Sequence, residues 1–267
     1  MSTPEWLARA LAVDYTQFLP IRVEERRFGW ARPDFATVLA RFPEVFLCEP
    51  RRVSLATELT TPRARTVAVA RVLEVLRAEG LVAGWRNELY EVYAEASGEP
   101  LFRIERAAVK RFGIRSRAAH LNGIVETERG LAMWIARRSL DKPTDPGKLD
   151  NLVAGGVAAE HDVWQTLVKE CDEEAGIPFF LAQGAQLRDT LAFDYIAPEG
   201  LDSNEVDAFD LVLPHSFEPR NQDGEVAAFE LLPFAEVRER LQAGELFTID
   251  AALVAWTCLQ RWEGGRK

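Results

Sequence analysis

Sulfur is scarce in this chain of 267 residues, which has three cysteines and two methionines. Cys48, Cys171 and Cys258 are odd in number and scattered, without metal-ligand spacing. That pattern indicates neither a disulfide framework nor a zinc site. Histidine is as rare, with three copies, so carboxylates are the abundant ligating side chains. No apolar run approaches the ~18 residues of a membrane span. A basic-then-apolar signal pattern is missing from the N-terminus, and the expectation is a soluble, cytoplasmic protein without a membrane partner. Internal repeats and low-complexity tracts are missing too.

What is present is enough apolar material for a sizeable core, 48% of the residues, and a formal charge of −10 that is unevenly spread. Residues 1–115 carry 18 Lys/Arg against 15 Asp/Glu, a net of +3, and residues 116–267 carry 14 against 27, a net of −13. An acidic second half suits a cation and argues against unspecific nucleic-acid binding. The mildly basic first half is suited to an anionic ligand or simply to water.

Trp6, Leu7, Ala10, Leu11 and Tyr15 lie at helical spacing over residues 4–18. Short strands are expected at Ile21–Val23, Phe28–Trp30 and Val45–Cys48, with a helix from Pro33 to about Arg41 between them. Thr61 as N-cap and Pro62 at the first position start a longer helix that runs to Gly80, with Val67, Ala70, Leu73 and Leu76 as its core stripe. Residues 1–114 thus read as an α+β module without a catalytic constellation. Beyond it the pattern changes to strands at Ala118–Val125, Leu131–Ala136, Leu152–Ala154, Ala185–Asp194, Val206–Val212 and Ala227–Leu232. Helices follow from Phe234 to about Gln242 and from Ile249 to about Arg261. Residues 115–267 therefore read as an α/β domain, a mixed sheet sandwiched by helices.

One segment stands out, G-G-V-A-A-E-H-D-V-W-Q-T-L-V-K-E-C-D-E-E-A-G-I from Gly155 to Ile177. The glycine pair suits a tight loop with a close backbone approach. Asp162 and Gln165 form a capping-box pair, and Gly176 followed by Pro178 ends the helix. Val163, Leu167, Cys171 and Ala175 share its inner face. Glu170, Glu173 and Glu174 share another at i, i+3 and i+4, where like charges repel. Such a run by itself is most often a solvated face. Behind a glycine loop it suits a hard divalent cation, Mg²⁺ or Mn²⁺.

The segment resembles the Nudix box, G-x5-E-x7-R-E-U-x-E-E-x-G-U, where U is a bulky apolar residue. Gly155, Glu170, Glu173, Glu174, Gly176 and Ile177 match it. His161 stands in place of the first glutamate, with Glu160 one residue early, Lys169 replaces the arginine and Cys171 fills the apolar slot. The runs W-R-N-E-L-Y (85–90), I-E-R-A-A (104–108), H-L-N-G (120–123), M-W-I-A-R-R-S (133–139), L-D-N-L-V-A-G-G (149–156) and P-R-N-Q-D-G-E-V (219–226) resemble a Nudix branch with an uncharacterised N-terminal module, which includes thiamine-pyrophosphokinase-related proteins.

The resemblance implies a Nudix α/β/α sandwich and a Mg²⁺- or Mn²⁺-dependent hydrolase of a small-molecule diphosphate. The resemblance to the fungal members of that branch further implies thiamine diphosphate or its oxidised or damaged analogues as the substrate, cut to the monophosphate. Glu170, Glu173, Glu174 and the Gly155 carbonyl are then the metal ligands. Lys169 orients a glutamate, and Glu173 or Glu225 is the general base, with Asp223 beside Glu225 in the same turn. His120, Asn122, Arg138 and Asn151 are the candidate substrate contacts, and Trp30, Trp85 and Trp134 are core residues before they are ring-stacking ones. Two alternatives stay open: a hydrolase of ADP-ribose or a dinucleotide, and a non-catalytic ligand-binding or regulatory protein. The expected state is a monomer or homodimer.

Overall fold

Apolar periodicity and capping chemistry set the order of elements. The computed structural model describes residues 2–94, 98–244 and 246–265. The first half contains α1 (Glu5–Ala10), β1 (Leu19–Val23), β2 (Arg26–Ala31), α2 (Pro33–Leu39), β3 (Phe46–Glu49), β4 (Arg52–Leu55), α3 (Pro62–Ala78), β5 (Leu89–Val92) and β6 (Phe102–Glu105). The second contains β7 (Arg115–Thr127), β8 (Gly130–Arg138), β9 (Leu149–Asp150), β10 (Val153–Gly156), α4 (Val163–Ala175), α5 (Phe179–Ala182), β11 (Gln186–Ile196), β12 (Leu201–Val212), β13 (Val226–Pro233), α6 (Phe234–Ala243) and α7 (Ile249–Glu263).

In the first half a four-stranded sheet, ordered β2-β1-β4-β3, and the hairpin β5-β6 share one core with α2 and α3. Thr61 caps α3 as expected, its hydroxyl accepting the Ala64 N–H. The buried stripe of α3 is Val69, Val72, Leu73 and Leu76, whereas Val67 and Ala70 face solvent. Small and β-branched residues all round that helix blur its periodicity, and the expected stripe was rotated. The first helix is also shorter than its spacing suggests. It ends at Ala10, and a separate 3-10 turn covers Tyr15–Gln17.

The second half is built on a seven-stranded mixed sheet. Its path is β11-β12-β7-β8-β13, with β10 paired to β7 and β9 to β8. β7 is the central strand. Its neighbour β12 runs parallel to it, while β10 and β8 pair antiparallel with its earlier and later residues. One face of the sheet packs on α4 through Leu121, Val153, Leu167, Cys171 and Ala175. The other packs on α6 and α7 through Ile124, Met133, Val237, Ala255 and Trp256. This is an α/β/α sandwich. Leu7 of α1 is buried in the α6–α7 cluster, and the Trp6 indole donates to the Leu241 carbonyl at 2.7 Å. The N-terminal helix thus packs on the second half, although the intervening residues build the first.

Candidate active site

The glycine pair is not a loop. Gly155 and Gly156 are the last residues of β10, opposite Ala119 and Ala118, and the loop comes after them at 157–162. The glycines are needed for space. A Cβ on Gly155 would collide with the Glu170 side chain, and one on Gly156 with the Tyr90 hydroxyl. A helix from the second half and a strand from the first thus converge on one backbone stretch.

α4 carries its carboxylates as the spacing requires. The capping box of Asp162 and Gln165 is formed at its start, and Gly176 closes it with φ of 61°. Glu174 is buried at 5% exposure, and its Oε2 accepts the Ala154 N–H at 2.8 Å. Burial pushes its carboxyl up to about 8, against the opposing pull of that bond and of the Lys142 ammonium. Glu170 is half-buried behind Gly155, and desolvation raises it as well. Glu173 is more exposed and is held by Lys169 at 2.6 Å, while the same ammonium reaches Glu170 at 3.2 Å. Lys169 does pair with glutamates, as a point charge between two of them.

Two metal assignments need correction. Val157 N–H bonds to the Arg117 carbonyl, so in this antiparallel register Gly155 and Ala119 are a hydrogen-bonded pair. The Gly155 carbonyl is therefore directed at β7, and the Ala154 carbonyl is the one on the side of Glu174. Second, the three glutamates of the motif do not form a ready cage. Among the described residues, no group of three or more His, Cys, Asp or Glu side chains is arranged to hold a metal. Glu173 is drawn away by Lys169. Lys142 sits between Glu174, at 3.9 Å, and Glu225, to which it is directly bonded. The donor chemistry still suits a hard divalent cation: carboxylates of Glu170, Glu174 and Glu225 and the Ala154 carbonyl are all oxygens, and a cationic group already stands among them.

A cavity of about 350 Å³ opens in front of this arrangement. Both halves line it. Arg86, Tyr90, Arg106 and Lys110 come from the first, while Lys142, Gly155 and Glu225 belong to the second. Glu170, Glu173 and Glu174 lie behind the wall, whereas Glu225 is on it. Partial burial would raise Glu225, but the bond from Lys142 and the positive charges of Lys142, Arg86 and Arg106 together outweigh it and hold the carboxyl below the usual range. Asp223 accepts the Glu225 N–H and so orients the turn. Tyr90 is pushed up to about 12 by burial, with the Arg106 guanidinium 5.6 Å from its ring centroid.

The four substrate candidates divide. His120 and Arg138 line the cavity. Arg138 bonds Asp150 at 2.7 Å, and its strand neighbour Arg137 points the other way to Glu230. Asn122 and Asn151 do not line it. They are fully buried in a polar chain in which the Asn151 amide donates to Asn122 at 3.1 Å and Asn122 donates to Asp210 at 3.0 Å. Asn151 Oδ1 meets His120 Nδ1 at 2.8 Å, so these amides position His120, whose pKa is lowered by burial. The loop with the substituted first glutamate is tied to the first half, with Ala159 N–H bonded to the Leu89 carbonyl. There His161 is exposed, and Glu160 points out towards Arg103 at 3.8 Å instead of replacing the missing acid.

Sequence reasoning missed Lys142, Arg86, Tyr90 and Arg106. The last three lie inside the runs 85–90 and 104–108, and their positive charge is part of the basic bias of the first half. Lys142 sits in a loop with no motif around it, and only the fold brings it to the carboxylates.

Residues 7–116 match a family model described as Domain of unknown function (DUF4743), and residues 117–256 match one described as NUDIX domain. The chain is similar to "Nudix hydrolase 24, chloroplastic" of Arabidopsis thaliana, 39% identical over 240 residues, covering 89% of this chain and 66% of that protein. It is also similar to "Nudix hydrolase 20, chloroplastic" of the same plant, 37% identical over 247 residues with 89% and 66% coverage. The chain thus spans just under two thirds of the length of these curated relatives. Among solved structures it is similar to that of DR0079 from Deinococcus radiodurans, with 21% identity, a TM-score of 0.48 and coverage of 64% of this chain and 99% of that one.

Proposed function

The chain belongs to the Nudix family, and on that premise we propose that it hydrolyses a small-molecule diphosphate with the help of Mg²⁺ or Mn²⁺. The observation that carries this reading is the shared cavity, where cationic side chains from both halves line the wall with Glu225, and Lys142 links that wall to Glu174 of α4 behind it. Arg86, Arg106 and Lys142 present positive charge to a diphosphate. Arginine suits that role, because its planar fork matches phosphate oxygens. Glu170, Glu174, Glu225 and the Ala154 carbonyl are the groups that would hold a metal. When bound, such an ion neutralises the diphosphate and lowers the pKa of an attacking water.

Glu225 is the proton acceptor in this reading. It lies on the cavity wall and stays ionised at neutral pH, whereas Glu173 is outside the wall and paired with Lys169. The proposed substrate is thiamine diphosphate or an oxidised analogue, cut to the monophosphate; the support for it is the run-by-run resemblance of the sequence, since fold alone does not choose a leaving group.

The test is a panel of thiamine diphosphate, its oxidised analogues, ADP-ribose and dinucleotides, with phosphate release measured with Mg²⁺ and with chelator. Metal-dependent turnover of the thiamine compounds is expected. Fast turnover of ADP-ribose with none of thiamine diphosphates would replace the substrate. The tight hold of Lys142 and Lys169 on the glutamates favours the second reading, a ligand-binding protein without catalysis, and no turnover anywhere on the panel would establish it.

A further inference from the structure

Tyrosine is rare in this chain, with four copies, and three of them use their hydroxyls inside the protein. Tyr15 donates to Asp194, Tyr93 to Glu91, and Tyr195 to Asp202 at 2.6 Å. Tyr90 differs. It is 6% exposed, yet among the described residues no group bonds its hydroxyl. Buried phenols usually find such a partner, because a hydroxyl that leaves water without one is destabilising. The oxygen is not sealed like the unpartnered indole nitrogens of Trp134 and Trp256, for Tyr90 lines the cavity.

The backbone makes room for this hydroxyl. A Cβ on Gly156 would collide with the Tyr90 oxygen and stand 3.5 Å from Arg106 Nη2, so two donors meet over the same glycine. Alternation along β10 puts them on the cavity face, whereas Glu170 lies over Gly155 on the other. The position is held from both sides. Tyr90 pairs with Ile104 in the β5–β6 hairpin, and its neighbour Leu89 accepts the Ala159 N–H at 2.8 Å. Phenylalanine would serve packing alone. What the oxygen adds is a proton that burial keeps in place at neutral pH, set beside a guanidinium. That pair of donors fits an anion.

We propose that the Tyr90 hydroxyl and the Arg106 guanidinium form a clasp for a non-bridging phosphoryl oxygen, with Tyr90 a substrate contact contributed by the first half. The identity of the anion rests on the diphosphatase reading. The clasp lies on the face of β10 away from Glu170. Being neutral, the phenol adds a directed donor without repelling a metal ion.

The probe is methylenediphosphonate, which carries two phosphoryl groups and no bond between them that water cleaves. Its dissociation constant is measured by calorimetry on the full chain with Mg²⁺, alongside thermal melts without the probe. Tyr90→Phe should bind it about tenfold or more weakly, the usual weight of a hydrogen bond to a charged group. The variant should melt at or above the wild-type temperature, since no internal bond is lost. Tyr195→Phe removes a bonded hydroxyl from the same cavity and should do the reverse, melting lower with unchanged affinity. Unchanged affinity in Tyr90→Phe overturns the proposal, and so does a wild type that does not bind the probe. Weaker binding with a melting temperature as low as that of Tyr195→Phe also overturns it, because the hydroxyl would then be structural. Failure of the diphosphatase reading has a different signature: the substrate panel shows no turnover while Tyr90→Phe still loses affinity for the probe.

Discussion

Glu174 combines burial, a backbone bond from Ala154 and a neighbouring ammonium, and their balance makes it sensitive to pH. Its folded pKa, about 8, lies above its ordinary value of 4.5. The folded state therefore binds a proton that the unfolded chain releases, and the cost of ionising Glu174 appears as pH rises from about 4.5 to about 8. Glu174→Gln keeps an oxygen for the Ala154 N–H and removes the charge. In chelator, the variant should equal the wild type at pH 4.5 and exceed it at pH 8.5, by a few kcal/mol at most. Denaturant melts at the two pH values check this, and an equal gap at both would deny the buried charge. The same variant should lose metal-dependent hydrolysis. Lys142 makes a second prediction at this scale. Because its ammonium lies between Glu174 and Glu225, Lys142→Ala should bind Mn²⁺ more tightly in calorimetry yet show a raised KM for the diphosphate. If both affinities fell together, Lys142 would be a structural prop.

At the level of elements, β10 is where the two halves meet. Tyr90 of β5 lies over Gly156 and Glu170 of α4 lies over Gly155, so neither position has room for a methyl group. Gly156→Ala should destabilise the protein by about 1–3 kcal/mol, the usual cost of overpacking. Tyr90→Phe removes the oxygen that the methyl would meet, so the double variant should recover part of that loss in a double-mutant cycle. Strict additivity would mean that the strain lies elsewhere. Much of this region was legible in the sequence. The caps of α3 and α4, the sheet between helices and the shared helical face of Glu170 and Glu174 follow from short-range signals of spacing and termination, whereas Glu225 was implied only by the resemblance to the Nudix box. Three features were not legible, for one shared reason. The role of Gly155 and Gly156 as strand residues depends on what packs over them, the direction of the Gly155 carbonyl depends on register with β7, and the assignment of Asn122 and Asn151 depends on the depth of β7 within the sheet. All three are set by partners far away in sequence.

For the whole molecule, the consequence is that the Nudix-matching half does not make its cavity alone. Arg86, Tyr90 and Arg106 form one wall, the loop at 157–162 is held by the Leu89 carbonyl, and Leu7 fills a place in the α6–α7 core. A fragment of residues 115–267 should therefore lose both stability and hydrolysis, which confounds packing with chemistry. Arg86→Ala and Arg106→Ala in the full chain separate them. Arg106 also bonds Glu88 at 2.7 Å and stacks on Tyr90, so its loss should lower the melting temperature as well as weaken diphosphate binding. Arg86 lines the cavity and, among the described residues, is bonded through its backbone N–H to Glu105 but makes no side-chain ion pair, so Arg86→Ala should melt like the wild type. Its KM should rise about tenfold with kcat nearly unchanged, the pattern of a lost ground-state phosphate contact. A wild-type KM in Arg86→Ala would reduce the first half to a scaffold, and the basic bias of its sequence would then be a property of the surface.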